Sequence, residues 1–437
     1  MKSESIIRGT WTPHFPNPVL APAFRQEENA LALGSGMEGR VFGYVEKRVE
    51  ALPGVYYRLN VEFSAQGITD ILRSVLCLVE WEQERETQER RAQEIMSAFW
   101  TQDECGTILG SLLCRAPLGT RYARIQLGLR YADNAKIVFR SAVWSQAQSP
   151  LPRGVKIGVC SWNPAKAGGE DTYEQQLVRL LQSAGDAGCD IMLLPEFCDT
   201  YQWRANFLST VPLLENKAVR VASLYAQKHQ MYICAPVVEK DGDIFYNTSV
   251  LLDRGGEVVG KYRKTHLYWP EACNWALTPG DEYPVFKLDF GTIRIQTCYD
   301  NWNADVCKLL ALKGAELILM PNEGYDPLIM PARAVDNRIY LAISSLAFEC
   351  AVYNTKGEKT GRDEGMLRVA DIDLNERIPP YPVAGGSCNY AMSARRSVHN
   401  SISNRVYMEL LHEINRWEEV QEEFVDPRGD IRGDLVR

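Results

Sequence analysis

Histidine is scarce in this chain of 437 residues: there are five, at positions 14, 229, 266, 399 and 412. None forms a His-x-x-x-His pair, and the 12 cysteines contain no Cys-x-x-Cys. These gaps exclude the common zinc arrangements, in which two ligands share a helix face or a knuckle. Long apolar runs are missing too. No stretch approaches the ~20 residues of a membrane helix, and the N-terminus, Met-Lys-Ser-Glu-Ser-Ile-Ile-Arg, has no apolar signal core. A membrane partner is therefore not expected. Positive charge is in deficit, with a net charge of −8 and no basic cluster, so a nucleic-acid partner is not expected either. Without a signal or regular cysteine spacing, the expectation is a cytoplasmic protein with reduced, mostly buried thiols.

What is present is ordinary for a globular protein, with 46% hydrophobic and 24% charged residues. The length favours two domains. Residues 1–149 contain short, partly alternating apolar runs at 55–63, 74–81, 123–131 and 136–144, most of them separated by turn residues. This texture predicts an all-β sandwich or jelly roll. The Glu- and Arg-rich stretch 82–99 is the exception and predicts a helical or mobile insertion. Ser149-Pro-Leu-Pro152 marks a linker. From 153 to 437 the rhythm becomes strand–helix alternation. Strands are predicted at 155–160, 190–194, 231–238, 292–297, 315–320, 340–346 and 366–373, with helices at 172–188, 216–229, 303–313 and 331–338. A hairpin over 244–263 turns at Asp253-Arg-Gly-Gly256, and an amphipathic helix lies near 399–417. Apolar strands alternating with helices indicate an α/β layer fold.

Two short motifs carry little. Gly34-Ser-Gly-Met-Glu-Gly39 matches a dinucleotide loop in spacing, but a strand-like run follows it where phosphate binding needs a helix N-terminus. Asn247-Thr-Ser is a formal glycosylation sequon inside a predicted strand and reads as chance.

Three ionisable residues stand apart because each follows an apolar strand. Glu196 closes Asp-Ile-Met-Leu-Leu-Pro-Glu, Lys264 closes Val-Val-Gly-Lys-Tyr-Arg-Lys, and Cys298 sits in Ile-Gln-Thr-Cys-Tyr-Asp before a helix-like run. Ligands bind beyond strand C-termini in open α/β sheets. A base, an ammonium and a thiol gathered there are the parts of a thiol acyl-transfer site. Singly, each has a plain alternative: a helix cap, a solvated charge, or one buried thiol among 12. At a helix start, the amides and dipole would favour the Cys298 thiolate.

Leu-Pro-Glu-Phe (194–197), Lys-Tyr-Arg-Lys-Thr-His-Leu (261–267) and Thr-Cys-Tyr-Asp (297–300) together resemble the three motifs of the nitrilase superfamily, the carbon–nitrogen hydrolases. The resemblance spans about 155–375. It implies an αββα four-layer sandwich and a Glu196, Lys264, Cys298 triad, preceded here by a jelly-roll or galactose-binding-like domain. It also implies a second glutamate after the lysine, for which Glu271 is the candidate and Glu282 the alternative. Tyr299, Tyr268, Trp302 and Asn322 are candidate oxyanion or substrate-binding residues. Trp203, Trp269 and Trp275 could join them in an aromatic rim or simply pack. The segment Asn301-Trp-Asn-Ala-Asp305 departs from the aromatic-Pro-Glu that relatives often carry, and the stretch between Asn337 and Ala370 looks short.

Tyr299-Asp300 resembles the amidase and carbamoyl-hydrolase side of the family. The expected activity is hydrolysis of a non-peptide C–N bond, in an amide or N-carbamoyl group, through a cysteine thioester. No cofactor and no metal are expected, and the expected assembly is a homodimer or higher homo-oligomer. The alternatives are a nitrilase, or an idle scaffold protein that works through its β domain.

Overall fold

The structure is a computed structural model that describes residues 3–35, 41–68, 71–83, 92–95, 100–102, 106–164, 172–199, 210–375, 381–383 and 386–388. The chain forms two compact units. One is Pro152–Glu376, and the other is Met1–Leu151 together with Arg377–Arg437.

The first unit is built of two mainly antiparallel sheets. One runs in the order Ala23–Glu27, Ala30–Gly34, Lys136–Ala147, Tyr56–Gln66, Ile108–Arg115, Trp100–Gln102. The other begins Thr12–His14, Phe42–Glu50, Thr120–Arg130, Val75–Gln83, Ala92–Ile95. Period-2 alternation fixes the inward faces: Tyr57, Leu59, Val61 and Phe63 are buried along one strand. Trp144 stacks on Tyr57 at 4.7 Å and meets Trp81, from the other sheet, at 6.1 Å.

Two expectations end differently here. Ala92–Ile95, inside the stretch expected to be helical or mobile, is a strand paired with Val75–Gln83. Ladder hydrogen bonds at a sheet edge override the helical composition. Tyr381–Val383 and Gly386–Cys388, expected in the second domain, form a hairpin that pairs with Ala92–Ile95. Most of the Gly34–Gly39 loop lies outside the described residues, but Phe42–Glu50 after it is a strand. The helix expected near 399–417 also lies outside the described residues.

The second unit has two more sheets. The first runs Val258–Arg263, Ile244–Leu252, Tyr232–Asp241, Ile191–Leu193, Gly154–Cys160, Leu367–Asp373, Arg362–Glu364. The second runs Phe286–Lys287, Thr292–Ile295, Leu317–Asn322, Tyr340–Ser345, Ala351–Tyr353, Lys359–Thr360. Each contains three neighbouring parallel strands. The short strands after Ser345 occupy the stretch that looked abbreviated in the sequence.

Helices form where the apolar spacing demands. Tyr173–Asp186 starts at a capping box, with Thr172 and Gln175 exchanging side-chain and backbone bonds. It buries Leu177, Leu180, Leu181 and Ala184 against the first sheet, as Lys217–His229 buries Ala218, Ala222 and Ala226. Ala304–Leu312 and Ile329–Asn337 contribute Val306, Leu310, Met330 and Ala334 to a core shared by both sheets. That core joins Ile157, Ile191 and Leu193 to Ile293, Leu317, Leu319 and Leu341. The sheets are also tied through Ser344, whose hydroxyl donates to Leu193 O (2.6 Å) and accepts from Cys160 N (2.9 Å).

Candidate active site

The second unit places Glu196 beyond the parallel strand Ile191–Leu193. The chain turns sharply after it because Phe197 takes a left-handed backbone, φ 53°. That conformation is unfavourable for a bulky residue. The ring is held by Val238 and Leu277 and by an edge contact with Trp275 at 5.6 Å. Trp275 is therefore a packing residue. Glu196 itself is 1% exposed.

Lys264 follows Val258–Arg263, whose ladder pairs Arg263 with Thr248. One step further, Lys264 N donates to Asn247 O at 2.8 Å, so Lys264 and Asn247 lie opposite each other. Directly opposite residues of an antiparallel pair share a face. Gly280 lies against this junction; a Cβ there would stand 2.3 Å from Arg263 O.

Glu271 arrives on the short helix Trp269–Cys273, with Pro270 in its first turn. Its carboxylate reaches back to accept from Tyr268 N at 2.7 Å. Glu282, the alternative, is exposed.

These elements converge on one buried cluster. Lys264 Nζ donates to Glu196 Oε1 (2.8 Å) and Glu271 Oε2 (2.6 Å). Asn247 Nδ2 donates to Glu196 Oε1 (2.8 Å) and Glu271 Oε1 (2.7 Å). Burial opposes the charge on Lys264, but Glu196, Cys298 and Glu271 outweigh it and hold the ammonium well above the ordinary lysine range. Burial, with Glu196 nearby, raises the Glu271 carboxyl, while Lys264 and Asn247 pull it back.

Cys298 also has a left-handed backbone, φ 45°. It opens a single 3₁₀ turn, Cys298–Trp302, and the α-helix starts only at Ala304. The turn is pinned by the fully buried Asp300. Its carboxylate accepts from Thr297 N (2.8 Å), Tyr262 Oη (2.7 Å), Thr265 Oγ1 (3.1 Å) and His266 N (2.9 Å). The lysine loop and the cysteine turn thus share one anchor.

The expected thiolate stabilisation at a helix start does not hold. Burial first, then the neighbouring Glu196, push the thiol well above its usual range, against the pull of Lys264 and the Glu323 amide. A single 3₁₀ turn has little of a helix dipole to offset that burial. Burial beside Glu196 therefore favours the thiol form of Cys298.

The remaining candidates are scattered around this centre. Tyr268 and Tyr299 are exposed, with their rings 5.5 Å apart. Trp269 and Trp302 are also exposed. Asn322, at the C-terminal end of Leu317–Asn322, is buried, and its Oδ1 has no hydrogen-bond partner. Trp203 lies outside the described residues. The sequence reading missed Asn247, dismissed as a chance sequon, and Asp300. The signal for Asn247 was its place opposite Lys264 in the hairpin. Among the described residues, no group of three or more His, Cys, Asp or Glu side chains could hold a metal.

Comparison with known proteins gives the family. The sequence pattern of the carbon–nitrogen hydrolase family matches residues 156–378, more than half of the 437. The chain is similar to a nitrilase of Pyrococcus abyssi, at 32% identity over 51% of this chain and 93% of that protein. It is also similar to an omega-amidase of Xenopus laevis, at 27% identity over 46% and 85%. Among solved structures, an amidase from Nesterenkonia sp. is 23% identical over 51% of this chain and 93% of that one, with a TM-score of 0.44. With the family pattern spanning more than half its length, this chain belongs to the carbon–nitrogen hydrolase family and is an enzyme of that class.

Proposed function

We propose that the enzyme hydrolyses the C–N bond of a small-molecule amide or N-carbamoyl compound through a thioester on Cys298. The observation that carries this reading is the buried set Glu196, Lys264 and Glu271, with Cys298 beside Glu196. Because the thiol is held protonated, it needs a base in contact, and Glu196 is that base. Glu196 takes the Sγ proton as sulfur bonds to the carbonyl carbon. Negative charge moves to the carbonyl oxygen, where the Lys264 ammonium and the Tyr299 amide stabilise it. The tetrahedral species collapses with cleavage of the C–N bond. Glu196 returns the proton to nitrogen, releasing ammonia or an amine. Water, deprotonated by Glu196, then attacks the thioester; the acid leaves and Cys298 regains its proton. Glu271 keeps Lys264 in place and charged. These steps call on groups of the protein and water.

Tyr268, Trp302 and Asn322 are proposed to contact substrate. The αββα layer order, supported by the core common to both sheets and by the helix packing, belongs to the same reading. So do an accessory domain over 1–149, a hydrolase domain beginning at 153, and a homodimer or higher homo-oligomer. A reducing, cytoplasmic setting is supported by the ten free thiols at Cys77, Cys114, Cys160, Cys189, Cys198, Cys234, Cys273, Cys298, Cys307 and Cys350.

The test is an ammonia-release screen over amides, N-carbamoyl amino acids and nitriles with Cys298→Ala as control. Release from amides or N-carbamoyl compounds, abolished in the variant, is expected; turnover retained by a folded Cys298→Ala protein would refute the mechanism. A second reading, hydrolysis of a nitrile, is favoured by the 32% identity to a protein named as a nitrilase, and the same screen separates the two.

A further inference from the structure

Asn247 is almost fully buried, and its environment is unusual for an amide. Both oxygens facing its Nδ2 belong to carboxylates on different elements: Glu196 after the strand Ile191–Leu193, and Glu271 on the helix Trp269–Cys273. An ionised carboxylate only accepts, so the amide must present its NH₂ group to the pair, one hydrogen to each. Its main-chain carbonyl accepts from Lys264 N. One residue therefore touches Glu196, Glu271 and Lys264. Its own Oδ1 is buried without a donor. Leaving a buried acceptor unpaired is costly, so the orientation is set by the carboxylates and not by the rest of its surroundings.

The charge balance gives this arrangement a purpose. Two buried carboxylates face one ammonium, which leaves a net negative charge in a buried cluster. Hydrogen bonds to a charged carboxylate favour the charged form and are roughly twice as strong as neutral ones. The Asn247 amide supplies two such bonds without adding a charge.

We propose that Asn247 is a positioning residue of the hydrolytic site, whose side-chain amide keeps Glu196 and Glu271 both ionised and fixed around Lys264 before substrate arrives. The inference rests on the reading of Glu196 as the base for Cys298. The ionisable groups facing the amide are Glu196, Glu271 and Lys264, with Cys298 beside Glu196 beyond them.

The experiment compares the full-length protein with Asn247→Ala and the near-isosteric Asn247→Asp, and takes two readouts. The first is the pH profile of kcat/KM on an amide found in the screen. The second is the pH dependence of Cys298 alkylation by iodoacetamide, followed by mass spectrometry, which needs no substrate. Loss of the amide donors is expected to move the acid limb of both profiles to higher pH, further in Asn247→Asp than in Asn247→Ala. In Asn247→Ala, kcat should fall about 10- to 100-fold, the loss expected when hydrogen bonds to charged groups are removed, while KM changes less than about threefold. Acid limbs unmoved in folded variants would overturn the proposal, because a residue that only packs would lower stability without moving a titration. An alkylation limb that shifts in a protein inactive on every amide tested would support the Asn247 role while sinking the amidase reading. Should Asn247→Ala fail to fold, Asn247→Asp keeps both measurements available.

Discussion

Lys264 shows how strongly single side chains in this site depend on one another. Its ammonium is buried between two carboxylates and keeps its charge only because they are there. Lys264→Met would leave Glu196 and Glu271 facing each other with no cation. Removing one partner of a buried ion pair destabilises by about 3–5 kcal/mol. Urea unfolding should show that loss, and ammonia release should disappear with it. A variant of wild-type stability would mean that the carboxylates reach water or another cation. A carboxylate, an ammonium and a thiol beyond apolar strands are legible in the sequence, because strand ends can be read from composition. Two properties were not. The role of Asn247 depends on hairpin register, which puts it opposite Lys264. The resting state of Cys298 depends on burial, which only the assembled sheets determine.

At the scale of elements, the site is a meeting of loops held by Asp300. The lysine loop supplies Thr265 and His266, and the cysteine turn supplies Thr297. Asp300 and the more distant Asp305 raise the His266 imidazole above its usual range against partial burial, and Thr265 Oγ1 stands 3.0 Å from its Nδ1. A histidine whose folded value is raised contributes stability that is fully present below its unfolded value of about 6.5 and is lost as pH rises through the folded value. His266→Gln should therefore lower the melting temperature more at pH 6 than at pH 9. An equal loss at both would show that the ring acts by packing alone. The same scale shows where composition misleads. Glu and Arg favour a helix in isolation, yet Ala92–Ile95 is a strand because Val75–Gln83 offers it an edge. By contrast, the helices Tyr173–Asp186 and Lys217–His229 follow the apolar spacing closely, since each buries a single face.

Across the whole molecule, the division of cores separates two roles. Every residue of the Glu196 cluster belongs to Pro152–Glu376, and the apolar cores of this unit share no member with that of the first. Leu319 lies in the core common to both sheets of the second unit, and its carbonyl accepts from Gln296 N, two residues before the nucleophile. Leu59 lies in the core of the β unit. Both leucines are fully buried, so replacing either with alanine should destabilise its unit by about 2–5 kcal/mol. The consequences for turnover should differ. Leu319→Ala opens a void beneath the strand that leads to Cys298, where displacement of the nucleophile by a fraction of an ångström matters, and should lower kcat while the protein is still folded. Leu59→Ala should leave kcat/KM unchanged at temperatures below its own melting transition. Calorimetry of both variants, paired with kinetics at 25 °C, checks this. A fall in kcat/KM for Leu59→Ala under conditions where it is fully folded would mean that the β unit acts on the chemistry, and its sheets would then have to be counted as part of the catalytic apparatus.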